Sequence, residues 1–207
     1  MAWKALALTV AILSTVPGAS GANPAPGPAA RATITVRLFE QDAVPRHSLE
    51  AAAREARAIF HRVGLDVGWT FCVGAKPAGD CDRPLGPDEL VVRILPAPAA
   101  AVAGSTAMGY ALVAPGSRHA SLATVYFDLV QSTARSALVD PSSLLGRAVA
   151  HEIGHLLLNT SQHAGDGLMR AVWSQSEMRR ERPRDWRFDD REAAIMKASL
   201  VRLNGVD

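Results

Sequence analysis

Apolar and polar positions along the chain change their period several times, and each change marks an element. Ala32 to Phe39 (ATITVRLF) alternates β-branched and polar side chains, the two-residue period of a strand with one buried face. From His47 to Val63 the period lengthens. Leu49, Ala52, Ala53, Ala56, Ile59, Phe60 and Val63 fall on one side of a helix that Gly64 ends, with Ser48 the expected N-cap. Leu65 to Cys72 and Glu89 to Leu95 return to strand patterning, and Met108 to Ala114 and Leu122 to Phe127 predict two more strands. Asp140 or Ser142 opens a helix with Pro141 near its first turn, running to about Leu158. Asn159 to Arg184 shows no sustained period, and such long irregular stretches are more often functional than idle. Asp189 to Leu203 predicts a closing helix with Ala193, Ile195, Met196, Leu200 and Leu203 available for packing. The order β-α-β-β-β-β-α-loop-α predicts one mixed α/β (α+β) domain over residues 32–207.

The segment before that domain reads differently. Met1 to Lys4 form a short positive region, Ala5 to Val16 an apolar run, and Pro17 and Gly18 break it ahead of small residues ending at Ala22. This is the layout of a secretory signal peptide over residues 1–22, too short to span a bilayer. Residues 23–31, rich in Pro, Ala and Gly, read as a flexible tether. The expected location is periplasmic or secreted. In an oxidising compartment the two cysteines, Cys72 and Cys81, are expected to pair as a disulfide around a Gly/Pro/Asp-rich loop. Closing a loop of that size contributes about 2–3 kcal/mol on the chain-entropy account.

Composition narrows the partners. With 22 Lys+Arg against 20 Asp+Glu, the formal charge of +2 argues against binding nucleic acid by phosphate neutralisation. Hydrophobic residues at 48% and charged residues at 20% argue against a wholly disordered chain. No apolar run reaches the ~20 residues of a membrane-spanning helix, so no span is expected in the mature form. A monomer is expected. The run Arg179, Arg180, Arg182 and Arg184 reads as a solvated face.

The chemistry concentrates in the penultimate helix, in Ala150-His151-Glu152-Ile153-Gly154-His155. Histidines four positions apart stack one turn apart on one helical face, so both imidazoles reach one metal ion. Glu152, beside the first of them, can meet a water at that ion without ligating it. This His-Glu-x-x-His spacing is the zinc-peptidase arrangement. A third ligand is needed. His163 leads, because Asn159 tolerates the left-handed conformation that ends helices and lets the chain turn back. Asp166, Glu177 and Glu192 are the alternatives. Asp128 or Asp166 could accept the second N–H of a ligand imidazole.

Further on come Gly165, Gly167 and Met169, in the run His163-Ala164-Gly165-Asp166-Gly167-Leu168-Met169. A zinc helix, a third His after a turn and a Met soon after resemble the metzincin clan of zinc metalloproteases. That resemblance implies a mixed twisted β-sheet with a packing helix, a zinc-binding active-site helix, a Met-turn carrying Met169 beneath the ligands, and a C-terminal helix. The clan spacing places Gly three residues after the second His and the third ligand three later. Those positions here are Leu158 and Ser161, so the motif is His-Glu-x₂-His-x₇-His, two residues longer.

The expected function is therefore an exported zinc-dependent endopeptidase with one catalytic Zn²⁺ held by His151, His155 and His163. Its expected substrate is a peptide or protein, attacked by a zinc-activated water with Glu152 as general base. Two other readings remain open: a non-catalytic secreted binding module that keeps the fold, and a zinc amidase acting on cell-wall peptides. Tyr110 and Tyr126 could donate to an oxyanion but read first as sheet residues, while Trp173 and Trp186 are expected to pack the long loop over the core.

Overall fold

The computed structural model describes residues 32–41, 44–76, 79–98, 107–114 and 120–204, the side chains of 202–204 excepted. The expected signal peptide and tether lie outside these residues, as does the side chain of Leu203. Among the described residues no helix is long and apolar enough to cross a membrane.

Five strands form one sheet in the order β2-β1-β3-β5-β4. They are β1 (Ala32–Glu40), β2 (Leu65–Val73), β3 (Glu89–Leu95), β4 (Gly109–Ala111) and β5 (Leu122–Tyr126). The first four in spatial order run parallel and β4 pairs antiparallel with β5, with Gly109 opposite Val125 and Ala111 opposite Ala123. Alternation sends Ile34, Val36, Leu38, Leu90, Val92, Ile94, Ala123 and Val125 to one buried face. β4 is shorter than the expected Met108–Ala114, and it is the edge strand, whereas β5 is internal.

The helices are α1 (Arg46–Arg62), α2 (Phe127–Ala137), α3 (Pro141–Leu158), α4 (Gln175–Arg180) and α5 (Asp190–Asn204). α1 begins after Pro45 with no side-chain cap. Ser48 therefore lies inside the first turn instead of capping it. Small residues let α1 approach α3 closely: a Cβ on Gly146 would stand 2.5 Å from the Ala52 carbonyl oxygen. α2 was not expected from the pattern; the strand at Leu122 turns directly into it. The loop from Asn159 to Arg184 also holds an unexpected helix, α4. Ser174 and Glu177 close a capping box there, each side chain satisfying the other's backbone N–H. In α5, Ala193, Met196 and Leu200 are buried, while Ile195 faces solvent at 37% exposure. Arg179, Arg180, Arg182 and Arg184 are exposed, as a solvated face requires.

On the sheet face away from the helices, Arg37 is buried against Glu89 and donates to the Arg83 and Pro84 carbonyls at 2.6 and 2.9 Å. Arg83 also pairs with Glu89. This cluster ties down the segment that follows the Cys72–Cys81 disulfide, whose Cα atoms lie 5.7 Å apart.

Candidate metal centre

α3 carries the motif and both of its ends are fixed by sequence. Asp140 accepts from the Ser143 N–H at 2.7 Å with Pro141 in the first turn, and Asn159 takes a left-handed φ of 50° at the other end. That left-handed residue reverses the chain. His163 returns to the pair, its ring centroid 5.3 Å from that of His151 and 4.8 Å from that of His155. One nitrogen from each of the three imidazoles can be chosen so that all lie within 4.8 Å of one another, a spacing that could hold a metal ion.

The hydrogen bonds decide which nitrogens are available. His151 Nδ1 donates to the Leu168 carbonyl at 2.9 Å and His155 Nδ1 to the Thr160 carbonyl at 2.8 Å. Carbonyl oxygens only accept, so these two bonds place the neutral imidazole protons on Nδ1 and leave both Nε2 atoms bare. The two Nε2 atoms stand 3.0 Å apart. Two lone pairs at that separation repel; a cation between them turns the contact into shared coordination. The donor set is thus three imidazoles, a fit to zinc. Backbone carbonyls orient the rings, not Asp128 or Asp166. Asp128 accepts from the Ala97 and Leu129 N–H groups at 2.9 and 3.0 Å, and Asp166 lines a separate cavity with Arg187 and Asp189.

Burial tunes the same groups. It lowers His151 to about 4, with the Leu168 carbonyl opposing and the neighbouring histidines adding to the fall. Burial also lowers His155, which keeps both imidazoles neutral and able to ligate at ordinary pH. Glu152 is buried and its Oε2 has no hydrogen-bond partner; burial pushes this carboxyl up to about 8. A nearby cation would act in the opposite direction and restore the carboxylate.

Glu152 lies between α3 and the edge strand. A Cβ on Gly109 would stand 2.9 Å from Glu152 Oε1, so only glycine lets β4 come this near. Both line a cleft of about 490 Å³ with His151, His155, His163 and Trp173. Tyr110 faces this cleft and its ring lies 6.0 Å from that of Tyr126.

Below the histidines, Met169 is buried where α3 has no side chain: a Cβ on Gly154 would stand 2.6 Å from Met169 Sδ. The turn holding Met169 is closed by Ala164 N–H to the Met169 carbonyl at 2.8 Å and by Leu168 N–H to the Arg187 carbonyl at 2.9 Å. The competing carboxylates are engaged elsewhere. Glu177 pairs with Arg170 and caps Ser174, and Glu192 accepts from the Asp189 N–H at 2.8 Å.

No protein-family profile matches the sequence, and no curated protein matches it. Solved structures do match. The chain is similar to a zinc-dependent peptidase from Methanocorpusculum labreanum, at 16% identity and a TM-score of 0.52, over 78% of this chain and 99% of that one. It is also similar to metalloproteinase-II from Bacteroides fragilis, at 14% identity and a TM-score of 0.55. That match covers 86% of this chain and 59% of the other. The chain has the fold of zinc peptidases. The α+β architecture expected from its sequence is the observed one. Sequence reasoning missed Leu168 and Thr160, which act through backbone carbonyls and leave no residue-type signal. It also missed Gly109 and Gly154, whose role is the space they leave.

Proposed function

We propose that this protein is a zinc-dependent endopeptidase, exported through its N-terminal segment, with a single zinc ion held by His151, His155 and His163. The observation that carries the reading is the pair of bare Nε2 atoms 3.0 Å apart beside a buried Glu152 whose Oε2 has no hydrogen-bond partner. The similarity of fold to two zinc peptidases supports it. The Cys72–Cys81 disulfide supports an oxidising destination.

Zinc held by these three histidines would supply a Lewis acid and would bring the pKa of water down to near neutrality. The remaining work falls to the chain. Glu152 takes the proton from the attacking water and passes it to the leaving amine, so the C–N bond breaks as an N–H bond forms. The Leu168 and Thr160 carbonyls hold the His151 and His155 rings in one tautomer throughout. Met169, packed on Gly154, gives the histidines a rigid apolar floor.

The edge strand orients the substrate. Leu112 donates to the Leu122 carbonyl and Tyr126 to the Met108 carbonyl, which fixes the alternation: even-numbered residues of β4 bond β5. The Gly109 N–H and C=O and the Ala111 N–H therefore point to the open side, toward an extended peptide. This favours a peptide over a small amide.

The test is hydrolysis of unfolded protein substrates by the purified zinc-loaded protein, read by mass spectrometry, beside Glu152→Gln. The reading predicts internal peptide-bond cleavage that falls about 10²–10⁴-fold in the variant while zinc is retained. Bound zinc with no amide hydrolysis would make the protein a binding module; cleavage restricted to cell-wall peptides would make it an amidase.

A further inference from the structure

Trp173 follows the Met169 turn and lies partly exposed at the cleft. Its indole Nε1–H donates to the Leu168 carbonyl at 3.2 Å, the same oxygen that accepts from His151 Nδ1. A carbonyl has two lone pairs, and here the two donors occupy both. The peptide unit just before it is held as well, the Leu168 N–H donating to the Arg187 carbonyl. The Leu168 oxygen cannot swing away from His151 without also straining the bond from Trp173.

The ring itself meets the ligand. Trp173 stands edge-on to His151 with centroids 5.6 Å apart and planes at 85°. Behind it Trp186, fully buried, packs on Trp173 at 5.1 Å. The Arg147 guanidinium covers Trp186 at 4.2 Å and pairs with Glu55 and Glu181. Arg147 and His151 are one turn apart on α3, so the brace Arg147–Trp186–Trp173–His151 starts and ends on one helix. Packing the loop over the core requires only apolar contact. An indole N–H aimed at the oxygen that orients a metal ligand does more than that.

We propose that Trp173 is a positioning residue for His151: by holding the Leu168 carbonyl and walling the imidazole, it sets the affinity of the site for zinc. The inference rests on the zinc reading above and concerns a residue that offers the metal no ligand atom of its own. Partners of this kind change metal affinity about 10–100-fold when removed.

The experiment compares the unmutated protein with Trp173→Phe, which keeps an aromatic ring and removes the N–H. Zinc dissociation constants come from chelator competition at fixed pH, and the visible spectrum of the cobalt-substituted protein reports ligand geometry. The expected result is affinity weakened about tenfold or more, with an altered cobalt spectrum. Affinity within about twofold and an unchanged spectrum would overturn the proposal, whatever happens to thermal stability. Should the variant not fold, the indole N–H resonance of Trp173 in the unmutated protein is followed during zinc titration. A shift supports the shared carbonyl, and an unmoved resonance overturns it. An unmutated protein that takes up no zinc sinks the metal reading itself, a result distinct from normal uptake with an indifferent Trp173.

Discussion

Gly154 and Met169 are in contact across the turn beneath the histidines, with the place of a Cβ on Gly154 only 2.6 Å from Met169 Sδ and 2.7 Å from a Phe188 ring carbon. Met169 and Phe188 are both buried, so neither has open space to retreat into. Gly154→Ala is expected to cost about 1–3 kcal/mol by overpacking, although alanine is the better helix former. Denaturant unfolding of the metal-free variant measures it. Unchanged or higher stability would mean that the turn yields easily.

Gly109 makes a different prediction. A Cβ there meets the Thr124 carbonyl oxygen at 2.6 Å and Glu152 Oε1 at 2.9 Å, so Gly109→Ala pushes the edge strand and Glu152, the proposed general base, apart. Peptide cleavage should fall about 10²-fold, the scale of a displacement near 1 Å at a reacting group. The histidines are held from α3 and the following loop, so zinc content should not change. Assays of cleavage and zinc on the same preparation separate the two effects.

Acid stability follows from Glu89. Burial alone would raise this carboxyl, but bonds from Arg83, Arg37 and the Gly86 N–H outweigh it and hold the pKa at about 2. A folded pKa below the ordinary 4.5 means that the unfolded chain takes up the proton first. The cluster's stabilisation is therefore fully present above about pH 4.5 and is lost as pH falls toward 2. Denaturant midpoints between pH 6 and pH 2.5 should decline over that window, and Glu89→Gln should start lower and decline less.

Much of this was legible in the sequence because it depends on neighbours along the chain. The αL residue Asn159, the Asp140 cap with Pro141, and the four-residue step from His151 to His155 are local rules read from local residues. Strand β3 has the boundaries its alternation predicts, Glu89–Leu95. α2 escaped for a local reason as well. Tyr126 offers no capping side chain, and Ser132, Thr133 and Ser136 are weak helix formers. The spacing of its buried residues Phe127, Val130, Ala134 and Ala137 was the available signal. What could not be read was what distant backbones do to the site: the Leu168 carbonyl on His151, and β4 against Glu152. Such features depend on the packed fold and carry no residue-type signature.

The Cys72–Cys81 bond closes a nine-residue separation and anchors the end of β2 to the segment bearing Arg83. Reduction, or Cys72→Ser with Cys81→Ser, should cost about 2–3 kcal/mol. Unfolding with and without reductant measures it, and the cleft, on the far side of the sheet order beside β4, should keep its zinc.

The central claim is a three-histidine zinc site, and its most direct test is elemental analysis of the purified protein beside His163→Ala. The account predicts one zinc per chain in the unmutated protein and its near-complete loss in the variant. Full zinc retention by His163→Ala, or no zinc in the unmutated protein after exposure to the metal, would contradict it.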